Sequence, residues 1–134
     1  RFGSIDRGKV AQQGVALLES LGLPGAMARR RMDSLSLAEQ QQVLIARTVA
    51  DQAKVLILDE PTSILTDAEA DELFRIVDQL SAAGTAVLYI THRFDELHRV
   101  AERFVVLRDG ALVGEIREPD REQLLAMMGG GEGT

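Results

Sequence analysis

The sequence contains no cysteine and no tryptophan, and only one tyrosine and four phenylalanines. Without thiols there is no disulfide framework, no thiolate metal site and no cysteine nucleophile, and the absence fits a reducing compartment. So few aromatics leave little with which to stack nucleobases. Positive charge is also short: 15 Lys+Arg stand against 21 Asp+Glu, a net charge of −6 with both histidines neutral. A nucleic-acid partner is therefore not expected, because neutralising a phosphate backbone needs clustered Lys and Arg. No uninterrupted apolar run approaches the roughly 20 residues that cross a bilayer, so any membrane role has to come through a partner. The chain opens at Arg1 without a signal-like segment and reads as a piece of something longer.

What is present is globular. The 134 residues are 46% hydrophobic and 27% charged, which suits one domain with a real core and excludes wholesale disorder. Val10, Gly14, Leu17, Leu18 and Leu21 recur at helical spacing until Gly22 and Pro24-Gly25 stop the pattern. A basic stretch, Arg29 to Arg31, leads to Ser36, and Ser36 with Glu39 three residues later predicts a capping box and a helix to Ala50. Val55 to Leu58 is a solid apolar run ending in Asp59-Glu60-Pro61, the mark of a strand buried on both faces. Thr66 and Glu69 form a second capping box, and the helix that follows places Ala70, Leu73, Phe74, Val77 and Leu80 on one face before Gly84. Ala86 to Ile90 reads as a second buried strand closing on Thr91-His92. A short helix over Phe94 to Ala101 comes next, then a hairpin of Phe104–Leu107 and Ala111–Ile116 turning at Asp109-Gly110. A last helix is expected from about Asp120 to Met128, with 129–134 as a flexible tail or linker. Strand-helix alternation through the middle predicts an α/β domain with a mainly parallel sheet, whose ligands sit beyond the carboxyl ends of the strands.

Asp59, Glu60 and His92 all fall at such ends. An Asp there suits a hard cation such as Mg2+, and the neighbouring Glu can orient or deprotonate an attacking water. Two acids before a proline also suit a plain solvated strand end. The imidazole of His92 can donate to a phosphoryl oxygen if the two strands are adjacent, whereas His98, among Glu96, Arg99 and Glu102, belongs to a solvated helix face. Ser36 opens a helix whose N-terminal amides could receive an anion, although spacing alone makes it a cap worth about 1 kcal/mol. Glu39 would repel an anion in its own first turn, so a phosphate has to approach from the serine side. Gly3 to Lys9 matches G-x-x-x-x-G-K, but Val10 replaces the required Ser or Thr and only Arg1 and Phe2 precede it. It reads as an ordinary connection.

Together these segments resemble the ATPase subunit of ABC transporters. Leu35-Ser36-Leu37-Ala38-Glu39-Gln40-Gln41 is similar to the family signature, Val55 to Glu60 to its Walker B strand, Ser63-Ile64-Leu65-Thr66 to its D-loop, Thr91-His92-Arg93 to its switch segment, and Arg108-Asp109-Gly110 to its closing hairpin. The usual signature reads Leu-Ser-Gly-Gly-Gln. Here Leu37 and Ala38 replace both glycines and Glu39 takes the glutamine position, a form that resembles the first of two fused ATPase domains in bacterial monosaccharide importers.

The resemblance implies a P-loop NTPase fold. Residues 1–128 would be the C-terminal portion of one ATPase domain: about 1–50 the helical subdomain and signature helix, about 51–128 part of the α/β core. It implies ATP and Mg2+ as ligands, with Asp59 holding the metal through water, Glu60 and His92 as the catalytic pair, and Ser36, Leu37, Ala38 and Glu39 reaching the ATP of a partner domain. Ser63 and Thr66 would line the D-loop. The phosphate loop and Q-loop would lie upstream, so the piece alone should bind ATP poorly. The implied partners are a second ATPase domain in a head-to-tail or fused pair, membrane permease subunits and, indirectly, a sugar-binding protein. The implied location is peripheral, on the cytoplasmic face of the inner membrane. A non-transport ABC-type ATPase and a degenerate dimerisation module are the competing readings.

Overall fold

The expected alternation is realised as α1 (Arg7–Ser20), α2 (Leu37–Ala50), β1 (Val55–Asp59), α3 (Asp67–Ala82), β2 (Ala86–Ile90), α4 (Phe94–Val100), β3 (Phe104–Arg108), β4 (Ala111–Ile116) and α5 (Arg121–Met128). The computed structural model describes residues 5–118 and 120–129. Two short 3-10 turns, Gly25–Arg29 and Met32–Ser34, fill the link between α1 and α2. The described residues through Ile90 form one compact unit, and those from Thr91 onward form a second. Gly129 caps α5 at φ +96°, and the rest of the expected tail lies outside the described residues.

In the first unit, α1 begins where the Asp6 carboxylate accepts the Lys9 backbone N–H at 3.1 Å. Gly8 and Lys9 therefore sit in the first turn of a helix, where a phosphate loop would also place them, so the reading of that segment as an ordinary connection rests on Val10; Gly3 and Ser4 lie outside the described residues. A Cβ on Gly14 would come within 3.1 Å of the Ala28 Cβ, so the small residue lets the 3-10 turn lie close on α1. The last carbonyls of α1 are taken by α3: Arg75 donates to the Leu21 oxygen and Gln79 Nε2 to the Ser20 oxygen at 2.7 Å. Both expected capping boxes form, Ser36 with Glu39 and Thr66 with Glu69. The expected stripe of α3 is buried, and Ile76 with it at 0% exposure. One continuous core joins Leu18 of α1, Leu21 just beyond it, Ile45 and Ala46 of α2, Leu56 and Leu58 of β1, and Leu73, Ile76, Val77 and Leu80 of α3, so packing runs across position 50 without a break.

β1 and β2 pair in parallel, from Val55 opposite Ala86 to Asp59 opposite Ile90. The expectation that these strands are buried on both faces is not met. Leu56 and Leu58 are buried, whereas Val55 and Ile57 are 56% and 61% exposed, and Leu88 and Ile90 of β2 are exposed as well. The sheet of this unit has two strands, α3 packs on it, and no described element of the same unit covers the opposite face.

In the second unit, β3 and β4 form the expected antiparallel hairpin. Asp109 and Gly110 both take positive φ, +53° and +77°, which is the turn that matches strand twist. One extra residue, Val113, shifts the register beyond Val106. Asp120 caps α5 by accepting the Gln123 N–H at 2.6 Å, and Phe104, Val106 and Leu124 are buried. The solvated face expected around His98 needs one correction. Glu96 is 3% exposed, and Arg93 Nη1 pairs with it at 2.9 Å, so its charge is buried because it is matched. His98 is exposed, its ring 5.9 Å from that of Phe104.

Two stability measurements follow from this packing. Ile76→Ala should cost about 2–5 kcal/mol in urea unfolding, because a fully buried side chain leaves a cavity; a loss below about 1 kcal/mol would place Ile76 outside the core. The Arg75 guanidinium holds the Glu72 carboxyl below its ordinary 4.5. A carboxyl depressed in the folded state stabilises above its ordinary value and loses that contribution as pH falls through the folded one. The pair is partly exposed, so Glu72→Gln should cost about 0.5 kcal/mol at neutral pH, and that cost should shrink steadily as the pH falls below the ordinary carboxylate range. An undiminished difference in acid would contradict the assignment.

Candidate functional site

The carboxyl end of β1 is where the first unit becomes chemically unusual. Asp59 is the last paired residue, and Glu60 follows with its backbone N–H still donating to the Ile90 oxygen at 2.8 Å. Glu60 takes φ +48°, a left-handed conformation that costs a non-glycine residue about 1–2 kcal/mol. Pro61 then removes the next donor, and the chain folds into a tight turn: the Ser63 N–H reaches the Glu60 oxygen and the Leu65 N–H the Thr62 oxygen. Thr62 and Pro61 are buried, while Asp59 is exposed and Glu60 half-buried. Strain of this kind persists where surrounding contacts over-determine it, and here those contacts are the β2 hydrogen bond and the buried proline turn.

A second feature ties this turn to α2. Gln41 Nε2 donates to the Pro61 oxygen at 3.1 Å, so the helix opened by Ser36 is anchored to the backbone just beyond Glu60. No sequence periodicity pairs residues 20 apart, which is why sequence reasoning named Gln41 only as part of a motif.

The two capped helix starts differ in what they leave available. Ser36 Oγ accepts the Glu39 N–H at 3.1 Å, and among the described residues its own proton has no acceptor. The Leu37 and Ala38 N–H groups are first-turn donors without an intrahelical acceptor. Serine hydroxyl and amides together can donate to an anion at the start of a 14-residue helix. Leu37 is 61% exposed beside them, and Ala38 is buried. Thr66 differs: its oxygen accepts the Glu69 N–H at 3.3 Å and its proton goes to Glu69 Oε2 at 2.9 Å. The Thr66 hydroxyl is thus committed to starting α3. The same contact holds the Glu69 carboxyl below its ordinary range, first through the Thr66 backbone N–H and then through the hydroxyl. Ser63 is exposed on the turn.

His92 belongs to the second unit. It is exposed and borders a cavity of about 420 Å³ with Arg93, Asp95, His98 and Arg121. Thr91 Oγ1 accepts the Arg93 N–H at 3.0 Å, and Arg93 pairs with Asp95 and Glu96, which fixes the backbone on which His92 sits. The adjacency of β1 and β2 on which its proposed part depended is present. Sequence reasoning also passed over Arg30, noted only as one of a basic run. Its guanidinium pairs with Glu39 at 3.1 Å and donates to the Ser34 oxygen.

Comparison with known proteins identifies related sequences and folds. Residues 6–63 match the ABC transporter family model. The chain is 44% identical over 134 residues to the ribose import ATP-binding protein RbsA of Chromobacterium violaceum, covering 98% of this chain and 27% of that protein. It is 40% identical over 133 residues to the protein of the same name in Caldanaerobacter subterraneus, again covering 98% and 27%. Among solved structures, an inward-facing ABC transporter assigned to the metal-chelate type matches with a TM-score of 0.74 at 30% identity, over 94% of this chain and 51% of that one. A nucleotide-free ATP-binding cassette matches in fold with a TM-score of 0.76 at 23% identity, over 92% and 48%. The chain thus spans about a quarter of the length of the curated relatives it matches.

The left-handed backbone at Glu60 is itself testable. Glu60→Gly should be about 1 kcal/mol more stable than Glu60→Ala in denaturant unfolding, since only the alanine keeps a Cβ in that conformation. Equal stabilities would mean that Glu60 is unstrained.

Proposed function

This chain belongs to the ABC transporter ATPases, and we propose on that premise that it is the water-activating, partner-facing portion of an ATPase domain that drives sugar uptake. The observation that carries the reading is Glu60, held left-handed at the carboxyl end of a parallel strand pair beside an exposed Asp59. Ribose import is the function named for the relatives, and it makes a pentose or similar monosaccharide the class of cargo.

Asp59 suits Mg2+, which takes one or two carboxylates and otherwise keeps water and substrate phosphates as ligands. Asp59 stands exposed at the end of β1, which fits a site resting on one protein carboxylate. When bound, Mg2+ would neutralise charge on the triphosphate. Glu60 aligns the hydrolytic water and accepts its proton, its strained backbone aiming the carboxylate before substrate arrives. His92 donates toward the γ-phosphate. Ser36, with the Leu37 and Ala38 amides, faces the triphosphate bound by a second ATPase domain, while Ser63 lines the turn between. Thr66 shapes that turn through its cap rather than by contact with ligand. This division suits phosphoryl transfer, in which positioning and charge stabilisation carry the rate.

The exposed face of β1 and β2 supports the same reading. Val55, Ile57, Leu88 and Ile90 present an apolar surface that the remainder of an ATPase domain would bury. No helix among the described residues is long and apolar enough to cross a membrane. The import role named for the relatives supports a domain that acts on permease subunits from the cytoplasmic face, with the sugar-binding protein reached only through them.

In the full-length protein Glu60→Gln should retain ATP binding and lose roughly 10²–10⁴-fold in turnover, as removal of a general base does. Turnover within threefold of wild type would remove Glu60 from its role. Ser36→Arg should abolish hydrolysis with the fold intact; hydrolysis at the wild-type rate would end the partner-facing assignment.

A further inference from the structure

The backbone entering α2 is held at three successive residues by three different side chains. The Ser34 carbonyl accepts from Arg30, the Leu35 carbonyl accepts from Gln40 Nε2 at 3.0 Å, and the Ser36 N–H donates to Glu39 Oε2 at 2.8 Å. The other Glu39 oxygen, Oε1, meets Arg30 Nη1 at 3.1 Å. Arg30 therefore performs two tasks with one planar fork: it fixes the carbonyl two residues before Ser36, and it neutralises the carboxylate three residues after it.

Neutralisation matters because of where Glu39 stands. A carboxylate in the first turn suits the helix dipole, but it opposes a second anion at the same helix end. The Ser36 hydroxyl and the Leu37 and Ala38 amides are the groups available to such an anion. A glutamine at position 39 could accept the Ser36 N–H through its amide oxygen with no charge to cancel. A glutamate can keep that hydrogen bond and still admit a phosphate only if a cation answers it. Arg30 is that cation, and its side chain is 44% exposed, against 30% for Glu39, so the pair lies at the surface from which a ligand would come.

We propose that Arg30 is a positioning residue of the ATPase site, cancelling the Glu39 charge and holding the turn that presents Ser36 to the triphosphate of the opposing domain. The inference rests on the partner-facing role of Ser36 given above. Arg30 acts through Glu39 and the Ser34 carbonyl and makes no contact with substrate.

The test is a double-mutant cycle on kcat/KM for ATP in the full-length protein, using Arg30→Met to keep the aliphatic stem and Glu39→Gln to remove the charge. Arg30→Met should lower kcat/KM at least tenfold in the native background and less than threefold in the Glu39→Gln background. Its defect should also shrink as ionic strength rises, because the exposed charge it leaves behind is screened. Arg30→Lys, which keeps the charge but not the fork, should retain more activity than Arg30→Met at matched thermal stability. An equal loss in both backgrounds would overturn the proposal and leave Arg30 a packing residue, and so would no loss in either. Ser36→Arg, assayed alongside, separates the two levels: if it remains active, the reading beneath the proposal fails with it, whereas an inactive Ser36→Arg beside an unaffected Arg30→Met overturns the role of Arg30 alone.

Discussion

The hydrogen bond from the Glu60 N–H to the Ile90 oxygen is the constraint on which the site depends. It is the last rung of the parallel ladder, one residue beyond the Asp59–Ile90 pair. Pro61 has no N–H with which to extend the ladder, so the chain has to turn there, and it turns with Glu60 at positive φ. The ladder is in turn fixed by α3, whose buried stripe lies against Leu56 and Leu58. From the other side, Gln41 holds the Pro61 carbonyl and so ties the start of α2 to the same turn. A strained glutamate and a capped serine are thereby parts of one small assembly within a single core.

The two capping boxes show how one local pattern serves two ends. Both place a glutamate three residues after a hydroxyl, and both satisfy the Ncap N–H. At Thr66 the hydroxyl proton is bonded to the carboxylate, which closes the motif on itself and leaves it to structure. At Ser36 the carboxylate is drawn to Arg30, and the hydroxyl proton has no acceptor among the described residues. The difference lies outside the motif, in a guanidinium from the irregular segment before it.

What was legible in the sequence was mostly local. Apolar spacing and caps located all five helices closely, and Asp109-Gly110 marked its hairpin, because a helix start or a tight turn is decided within a few residues. Glu60 and Asp59 were legible because an abrupt change from apolar to acidic marks a strand end. The exposure of Val55 and Ile57 was not legible, since an apolar run states what a strand would bury and not whether anything is there to bury it. Glu96 was misjudged for a related reason: a carboxylate looks solvated until Arg93 and Thr91 close around it. Arg30 and Gln41 act across 9 and 20 residues through segments without periodicity, so only the fold brings them to their partners.

Under the proposed function Glu60 activates water and Ser36 faces a partner domain, whereas Gly3 to Lys9, with Val10 in place of the Ser or Thr that would hold Mg2+, does not grip the triphosphate. The most direct measurement is calorimetric titration of Mg2+ and ATP into the 134-residue chain and into the full-length protein under the same conditions. Heat of binding is expected from the full-length protein, and none resolvable from this chain up to millimolar nucleotide. Saturable micromolar binding by the chain alone would contradict that assignment.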